Sequence, residues 1–228
     1  MAIDAESRLL LSVVPGRQSA EHTLLLVEDV AARTGGQPLD LFTSDENPAY
    51  AWALVEVYGE WVQPQRQGTR GRHPKPVKVP PEGLTYATVH KTRENNRVVG
   101  VETRVVYGSA EAVQAALERS SASDSVNTVY VERHNGTDRN RNARKGRKSY
   151  CFSKDWEVHE ALTYFTMYSY NFCWPVRTLR QKVGRRRYRQ RTPAMAAGLA
   201  DHVWSLREWL TYPAFDGAKR GSQPRQQS

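Results

Sequence analysis

Cysteine and long apolar runs are both scarce in this sequence of 228 residues. Its two cysteines, Cys151 and Cys173, form neither a Cys-x-x-Cys zinc motif nor the framework of a disulfide-rich domain, so we expect both to be reduced core residues. No stretch approaches the roughly 20 consecutive apolar residues that a membrane-spanning helix needs. The opening segment MAIDAESRLLLSVV carries acidic residues where a secretory signal is basic. These absences predict a cytoplasmic protein.

Positive charge, by contrast, is abundant. The chain has 33 Lys and Arg against 24 Asp and Glu, which gives a formal net charge of +9 and a pI of about 9.7. Apolar residues make up 39% of the chain, which is enough to build a core. A protein this basic typically binds a polyanion, most often a nucleic acid. A basic protein without such a partner is the alternative that charge alone leaves open.

Periodicity and turn residues divide the first half of the chain into strands and helices. Short apolar runs that end at turn residues predict strands, whereas apolar residues at helical spacing after a Ser or Asn cap predict helices. The predicted strands are 9–14, 39–43 and 97–108, and the predicted helices are 19–34, 47–59 and 109–120. This alternation favours an α/β fold with a mixed sheet flanked by helices.

The second half of the chain is predicted to be helical and strongly basic. A long charged helix is expected over 128–148, followed by an apolar and aromatic core helix that Ser153 caps and Pro175 ends. A basic arm and one or two short helices come next, at 177–191 and 192–210.

Composition divides the chain into three expected parts. The parts are a main folded domain at 1–175, a basic arm with short C-terminal helices at 176–212, and a disordered tail at 213–228. Within the first part, 63–127 has the least regular pattern, and its opening residues 63–83 are rich in Pro, Gly and basic residues. We therefore expect a loop at 63–83 and an insertion-like, variable region over 63–127 as a whole.

Three carboxylates stand where a sheet-based site would place them. Asp4 lies on or at the end of the first strand, Asp45 follows the strand 39–43, and Glu132 lies in the first turns of the charged helix. Ligands in α/β sheets collect at strand ends, and carboxylates suit Mg²⁺ or Mn²⁺. Two such ions can clamp the attacking and leaving oxygens of a phosphodiester. Spacing alone supports this only weakly, because most acidic residues are solvated surface groups.

Each of these carboxylates lies within a longer sequence segment. AIDAESRLLLSVVPGRQSAEHTLLLVEDV, LFTSDENPAYAWALVEVYG and YVERHNGTDRNRNAR resemble, in that order, the three catalytic segments of insertion-sequence transposases of the IS-one type. FSKDWEVHEALTYFTMYSYNFCWP and TPAMAAGLADHVWSL resemble that family's closing segments. The resemblance covers most of 2–62 and 128–210. The sequence differs from the family at Glu46, where glycine is common, and at Gly136, where an apolar residue is usual.

The resemblance implies that 1–175 is an RNase H-like catalytic domain with a D-D-E triad of Asp4, Asp45 and Glu132. These residues would be catalytic and would hold two Mg²⁺ or Mn²⁺ ions, so that the enzyme cleaves DNA at transposon ends and transfers the strands to target DNA. The implied partners are double-stranded DNA, further copies of the chain in the DNA complex and a separate N-terminal DNA-binding segment. The implied location is the bacterial cytoplasm, in association with the nucleoid.

Basic and polar residues of the charged helix are the expected DNA contacts. Arg139 lies seven residues after Glu132, so the two share one helix face two turns apart. The segment 139–148 has six basic residues and no acid, which suits contacts with phosphates. The expected DNA-binding residues are Arg133, Asn135, Arg139, Arg141, Arg144, Lys145, Arg147 and Lys148.

Two other functions stay open. A truncated, catalytically inactive transposase could bind DNA without cutting it, and an RNase H-like nuclease could act on RNA–DNA hybrids or junctions. Metal-dependent cleavage separates the first from an active transposase, and substrate choice separates the second.

Several aromatic and histidine side chains are expected to be structural. His134 and His159 have no partner at metal-ligand spacing, so we do not expect either to be catalytic. Helical or strand spacing favours core packing for the aromatic residues Trp52, Trp61, Tyr164, Phe165, Tyr168 and Phe172.

Overall fold

The computed structural model describes residues 1–66, 73–95, 97–146 and 150–213, which form a mixed α/β structure. The strands are β1 (Ala2–Ile3), β2 (Leu10–Ser12), β3 (Phe42–Ser44), β4 (Glu60–Val62), β5 (Val77–Val79), β6 (Tyr86–Glu94), β7 (Arg97–Tyr107), β8 (Gln181–Gly184) and β9 (Arg187–Arg189). The helices are α1 (Ala20–Arg33), α2 (Pro48–Tyr58), α3 (Ala110–Arg119), α4 (Val129–Arg141), α5 (Trp156–Cys173), α6 (Pro193–Ala196) and α7 (Leu206–Thr211). Short 3-10 turns span Ala143–Lys145 and Arg177–Leu179.

A mixed sheet of three strands, in the order β3–β6–β7, carries the structure around the predicted site. β3 runs parallel to β6, and β6 runs antiparallel to β7. Apolar side chains of α1 and α2 pack with Tyr86, whereas Val113 of α3 packs with Ala87 and Val89. Successive residues of a strand point to opposite faces, so α1 and α2 cover one face and α3 covers the other. The predicted mixed sheet flanked by helices is thus confirmed.

The helices of the first half begin at the predicted caps. Ser19 accepts a hydrogen bond from the N–H of the third residue after it, as Ser109 does at the start of α3. Asn47 caps α2, Pro48 occupies its first turn, and Gly59 follows its last residue. These positions agree with the known preferences of helix termini, which depend on a few neighbouring residues.

The hairpin of β1 and β2 is held against α5 by one side chain. The Asn171 carboxamide oxygen accepts from the Leu10 N–H at 2.9 Å, and its amide nitrogen donates to the Leu10 carbonyl at 2.9 Å. Both residues are buried, and Leu10 packs with Val13 and Met167. A side chain of α5 therefore supplies the pairing that another strand would give to β2.

The region 63–127 contains the two longest described strands, β6 and β7, and only β7 was predicted. β6 was missed altogether. Its first four residues, at 86–89, are all buried, and a strand that is covered on both faces lacks the alternation that identifies a strand. β5 also falls within the predicted loop at 63–83 and pairs with β4. The residues 67–72 of that loop lie outside the described residues.

The long charged helix ends earlier than predicted. α4 stops at Arg141 because Asn142 has extended backbone and its side chain accepts a hydrogen bond from the Arg144 N–H, which begins a 3-10 turn. Asparagine favours such local capping bonds over the helix interior. Residues 142–146 therefore do not continue the helix, contrary to the prediction. Residues 147–149 lie outside the described residues.

The core helix α5 begins later than predicted. Its N-cap is Asp155, which accepts from the Val158 N–H, and not Ser153. The Ser153 hydroxyl lies 3.0 Å from the His159 ring instead. The basic arm at 177–191 is also more ordered than a simple arm, since β8 and β9 pair in it as a hairpin. Residues 214–228 of the predicted tail lie outside the described residues.

Some side chains expected in the core lie at the surface. Trp52 is 45% exposed, Trp61 is 69% exposed, and Cys151 is exposed. Tyr164 is exposed to 36%. Helical or strand spacing identifies a common face, but it does not tell whether another element covers that face. Within the described ranges no helix is both long and apolar enough to cross a bilayer.

Candidate carboxylate site and nucleic-acid interface

Asp45 follows β3 directly, at the end of the strand that runs parallel to β6. The last residue of β3, Ser44, has its hydroxyl 2.7 Å from the Tyr86 hydroxyl. Burial raises the pKa of both Tyr50 and Tyr86, and the negative charge of Asp45 acts in the same direction. The Asp45 carboxylate therefore lies near two phenols at the end of the parallel strand pair.

Glu132 lies in the first turn of α4 and is tied to β6. Its carboxylate forms an ion pair with the Lys91 ammonium and accepts a hydrogen bond from the Thr128 hydroxyl at 2.9 Å. The Lys91 hydrogen bond is the main reason why the pKa of Glu132 is lowered, and partial burial acts in the opposite direction. The Glu132 side chain is 57% exposed, so solvent and a solute can still reach it.

β6 connects the surroundings of these two acids. Ser44, the neighbour of Asp45, lies opposite Thr88, and Lys91, the partner of Glu132, follows three residues later on the same strand. At the rise of a β-strand this separation is about 10 Å. Two of the three predicted catalytic carboxylates are thus placed at the same end of the parallel strand pair.

Asp4 has a different place, in the turn between β1 and β2. One of its carboxylate oxygens accepts from the Ser7 N–H at 2.9 Å and from the Ser7 hydroxyl, and the other accepts from the Glu6 N–H at 3.2 Å. Such bonds to the following residues are the usual way in which aspartate stabilises a turn. Asp4 also lines a cleft of about 450 Å³ with Arg8 and Arg191, and neither of the other two carboxylates lines that cleft.

The three predicted carboxylates do not form one metal site in this conformation. Among the described residues, which include all three, no group of three or more His, Cys, Asp or Glu side chains is placed to hold a metal ion. Lys91 already neutralises Glu132, and the turn donors already occupy Asp4. The residues present therefore do not fit a two-ion centre.

Glu46, the residue that departs from the family pattern, is bound to the sheet. Its carboxylate forms a hydrogen bond with the His90 ring on β6 and an ion pair with the Arg104 guanidinium on β7, the latter at 2.8 Å. Arg104 also lies 3.5 Å from Glu102 on its own strand. The extra carboxylate beside Asp45 thus has partners of its own on the sheet.

Two of the predicted DNA-binding residues on α4 are exposed to solvent and have no stacking or ion-pair partner among the described residues. Arg133 and Arg139 are both exposed, and Asn135 is half-buried. Arg141 is placed differently, with its guanidinium carbon 3.8 Å from the centre of the Trp174 ring. Lys145 is ion-paired at 2.7 Å with the buried Asp138, so its charge is already compensated. Arg133 and Arg139 are therefore the strongest candidates for phosphate contact on this helix.

The end of the basic segment meets the start of α5. Arg144, Lys154, Trp156 and His159 line a cleft of about 440 Å³ together with Phe152, Ser153 and Asp155. Trp156 stacks on His159 with 5.6 Å between the ring centres and remains 55% exposed. The predicted DNA-binding residues Arg147 and Lys148 lie outside the described residues.

Sequence reasoning missed two parts of this site. Lys91 was not singled out because β6 was not predicted, so the ion pair that it forms with Glu132 was not anticipated. Trp156 was read as part of a core helix, although its position in the first turn of α5, next to a run of basic residues, was the available signal.

Comparison with known proteins adds no relative. No family model, curated protein or solved structure matches the chain.

Proposed function

We propose that the chain is a transposase domain of the IS-one type, with an RNase H-like fold, that binds double-stranded DNA and cleaves and transfers its strands at transposon ends. The observation that carries this proposal is the placement of Asp45 and Glu132 at one end of the β3–β6 pair, beside the exposed arginines of α4. The reaction class comes from the resemblance of the sequence segments around these acids to the catalytic segments of that transposase family. The mixed sheet flanked by helices is compatible with the proposed fold.

The proposed DNA contact starts at Glu132 and continues along α4. Arg139 lies two helical turns after Glu132, about 10 Å along the axis. Arg133 and Arg139 would neutralise phosphates and release counterions, so we expect the affinity to fall steeply with salt. Such contacts position DNA without reading its sequence. A separate N-terminal segment and further copies of the chain would then select the transposon ends and join them.

Mg²⁺ or Mn²⁺ is the cofactor that this reaction class uses. Asp45 and Glu132 have oxygen ligands of the appropriate kind, but Asp4 is engaged in its own turn. The proposed DNA contact therefore needs no metal ion, whereas strand cleavage by this reaction class does.

A second candidate function is DNA binding without cleavage. The observation that favours it is the ion pair of Glu132 with Lys91, because a lysine already provides the charge compensation that a metal ion would give. In this case the basic surface of α4 occupies DNA, and the carboxylates only maintain the fold.

A cleavage assay separates the two. Supercoiled plasmid and end-labelled duplexes are incubated with the protein in Mg²⁺, Mn²⁺ or EDTA, and an RNA–DNA hybrid serves as a third substrate. The variants are Asp45→Asn, Glu132→Gln and Asp4→Asn, with Glu118→Gln of α3 as the matched surface control. Metal-dependent nicking that Asp45→Asn and Glu132→Gln abolish supports the transposase, and the effect of Asp4→Asn decides whether Asp4 belongs to the site. Cleavage of the hybrid alone identifies a different nuclease.

Binding is measured in parallel. Fluorescence anisotropy with a labelled duplex is recorded over a range of salt concentrations for the wild type, Arg139→Ala and the exposed control Arg17→Ala. We expect Arg139→Ala to weaken binding by a similar factor for DNA duplexes of different sequence. The slope of log affinity against log salt concentration should fall in magnitude by about one. DNA binding without nicking by any protein supports the second candidate, and no binding overturns both.

A further inference from the structure

β7 forms an outer edge of the three-stranded sheet, with register shifts near both of its ends and a regular centre. β7 pairs with β6 on one side, and no strand in the described part of the chain pairs with its other side. Exposed valines line it, namely Val98, Val99, Val101, Val105 and Val106. Its pairing with β6 runs without a bulge from Gly100 to Val105. Edge strands are usually protected by bulges, prolines or shortness, because their free N–H and C=O groups pair readily with another strand.

The centre of this edge is complementary to itself. When two copies pair antiparallel about a two-fold axis at Thr103, Glu102 of each copy faces Arg104 of the other, and Val101 faces Val105. Opposite charges and branched apolar residues are the cross-strand pairs that stabilise antiparallel sheets. An axis at residue 102 would place Glu102 against itself, and an axis at residue 104 would place Arg104 against itself. Like charges that face each other destabilise a sheet, so charge selects the register centred on Thr103.

The side chains on β7 are exposed enough to make these contacts, although Arg104 is also paired with Glu46 and Glu102 of its own chain. Glu102 is 65% exposed and Arg104 is 55% exposed at their side chains, and Val101 is 59% exposed. Glu102 lies opposite His90 and Arg104 lies opposite Thr88, so both belong to one face of the sheet. Val101, Thr103 and Val105 belong to the other face, which α3 partly covers. Each face of the joined sheet thus gains its own pair of contacts.

We propose that β7 is a self-association site, through which two copies of this chain pair their edge strands antiparallel about Thr103 into one continuous six-stranded sheet. The proposal does not depend on DNA binding or cleavage, since Glu132 and the arginines of α4 are not part of the edge.

Cysteine cross-linking tests the register directly, in a background in which Cys151 and Cys173 are replaced by serine. Thr103→Cys would face itself across the axis, within the 4.4–6.8 Å Cα separation that a disulfide spans. Val101→Cys would lie about 14 Å from its own copy, four residues away at the rise of a strand. We expect mild oxidation to give a disulfide-linked dimer from Thr103→Cys but not from Val101→Cys alone. A mixture of Val101→Cys and Val105→Cys should cross-link.

Sedimentation and light scattering test the association itself on the full chain. We expect a concentration-dependent dimer of the 25.9 kDa chain. Val101→Lys should weaken the dimer about tenfold or more, because two valine pairs are lost. Val183→Lys on β8 is the matched control, since that valine is also 59% exposed. Glu102→Arg and Arg104→Glu should each weaken the dimer, and mixing the two variants should restore it as a heterodimer.

Three outcomes overturn the proposal. The first is a wild-type chain that stays monomeric at all concentrations, which would leave β7 open to a strand of another protein. The second is a dimer that Val101→Lys and Val183→Lys affect equally. The third is a Thr103→Cys variant that cross-links no faster than Val101→Cys. Circular dichroism and thermal unfolding establish that each variant is folded before its assembly is compared.

Discussion

The Lys91 ammonium and the Glu132 carboxylate form an ion pair that joins the middle of β6 to the first turn of α4. The two residues are far apart in the sequence, and each lies on an element whose other contacts fix its position. The Thr128 hydroxyl bonds to the same carboxylate oxygen at 2.9 Å and also lies 3.3 Å from the Lys91 nitrogen. The predicted catalytic glutamate is therefore held in one orientation by groups that the sequence pattern did not identify.

Replacement of Glu132 should leave the fold intact. More than half of its side chain is exposed, and an ion pair in that setting contributes at most about 1 kcal/mol. We expect Glu132→Gln and Lys91→Met each to lower the free energy of unfolding by less than about 1 kcal/mol in urea titrations. A double-mutant cycle measures their coupling. A much larger loss would mean that the nicking assay with Glu132→Gln reports unfolding and not chemistry.

Stability should depend on pH through His134. This residue is 5% exposed and packs edge-on against the Tyr170 ring, with 4.5 Å between ring centres. Burial lowers the pKa of His134 to about 4, although the nearby Asp138 acts in the opposite direction. Between pH 4 and the ordinary histidine value of about 6.5, the unfolded chain therefore binds a proton that the folded chain does not.

The sign of this effect follows from proton binding. Stability is full above about pH 6.5 and falls by roughly 3 kcal/mol as the pH falls towards 4. Urea unfolding at pH 7 and pH 5 measures the difference, and His134→Gln should reduce it, whereas His73→Gln at an exposed position should not. An unchanged pH dependence in His134→Gln would assign the effect to other groups.

Asn171 should contribute strongly to stability. Its carboxamide satisfies both backbone groups of the buried Leu10, so truncation leaves a donor and an acceptor without partners. We expect Asn171→Ala to lower the free energy of unfolding by about 3 kcal/mol. Asn140→Ala on the exposed face of α4 is the control and should change it by less than about 0.5 kcal/mol. Equal effects of the two would show that the bond to β2 is not important.

Two glycines should respond to alanine with opposite signs. A Cβ at Gly136, within α4, would meet no atom within 4 Å, so Gly136→Ala should stabilise the protein by up to about 1 kcal/mol. A Cβ at Gly59 would lie 2.8 Å from the Val79 carbonyl oxygen and closer still to that of Val55. Because these are backbone atoms, Gly59→Ala should destabilise by about 1–3 kcal/mol. Thermal unfolding checks both, and a loss of stability in Gly136→Ala would contradict the helix geometry.

Local sequence patterns correctly predicted much of the first half. The caps Ser19, Asn47 and Ser109 are found at the predicted helix starts, because a cap acts on the next few residues only. The same approach failed for β6 and for the end of α4. In β6 burial on both faces removes the alternation, and at Asn142 a side-chain bond stops a helix that the charge pattern would continue.

The sequence by itself determined the basic character, the main helices, the strands β2, β3 and β7, and the end of β3 as the position of Asp45. These depend on composition and on interactions between near neighbours. Only the tertiary structure decided which charged groups meet. It places Glu132 against Lys91, and Glu46 against His90 and Arg104. These contacts join residues on separate parts of the chain, and no periodicity in the sequence encodes such distant contacts.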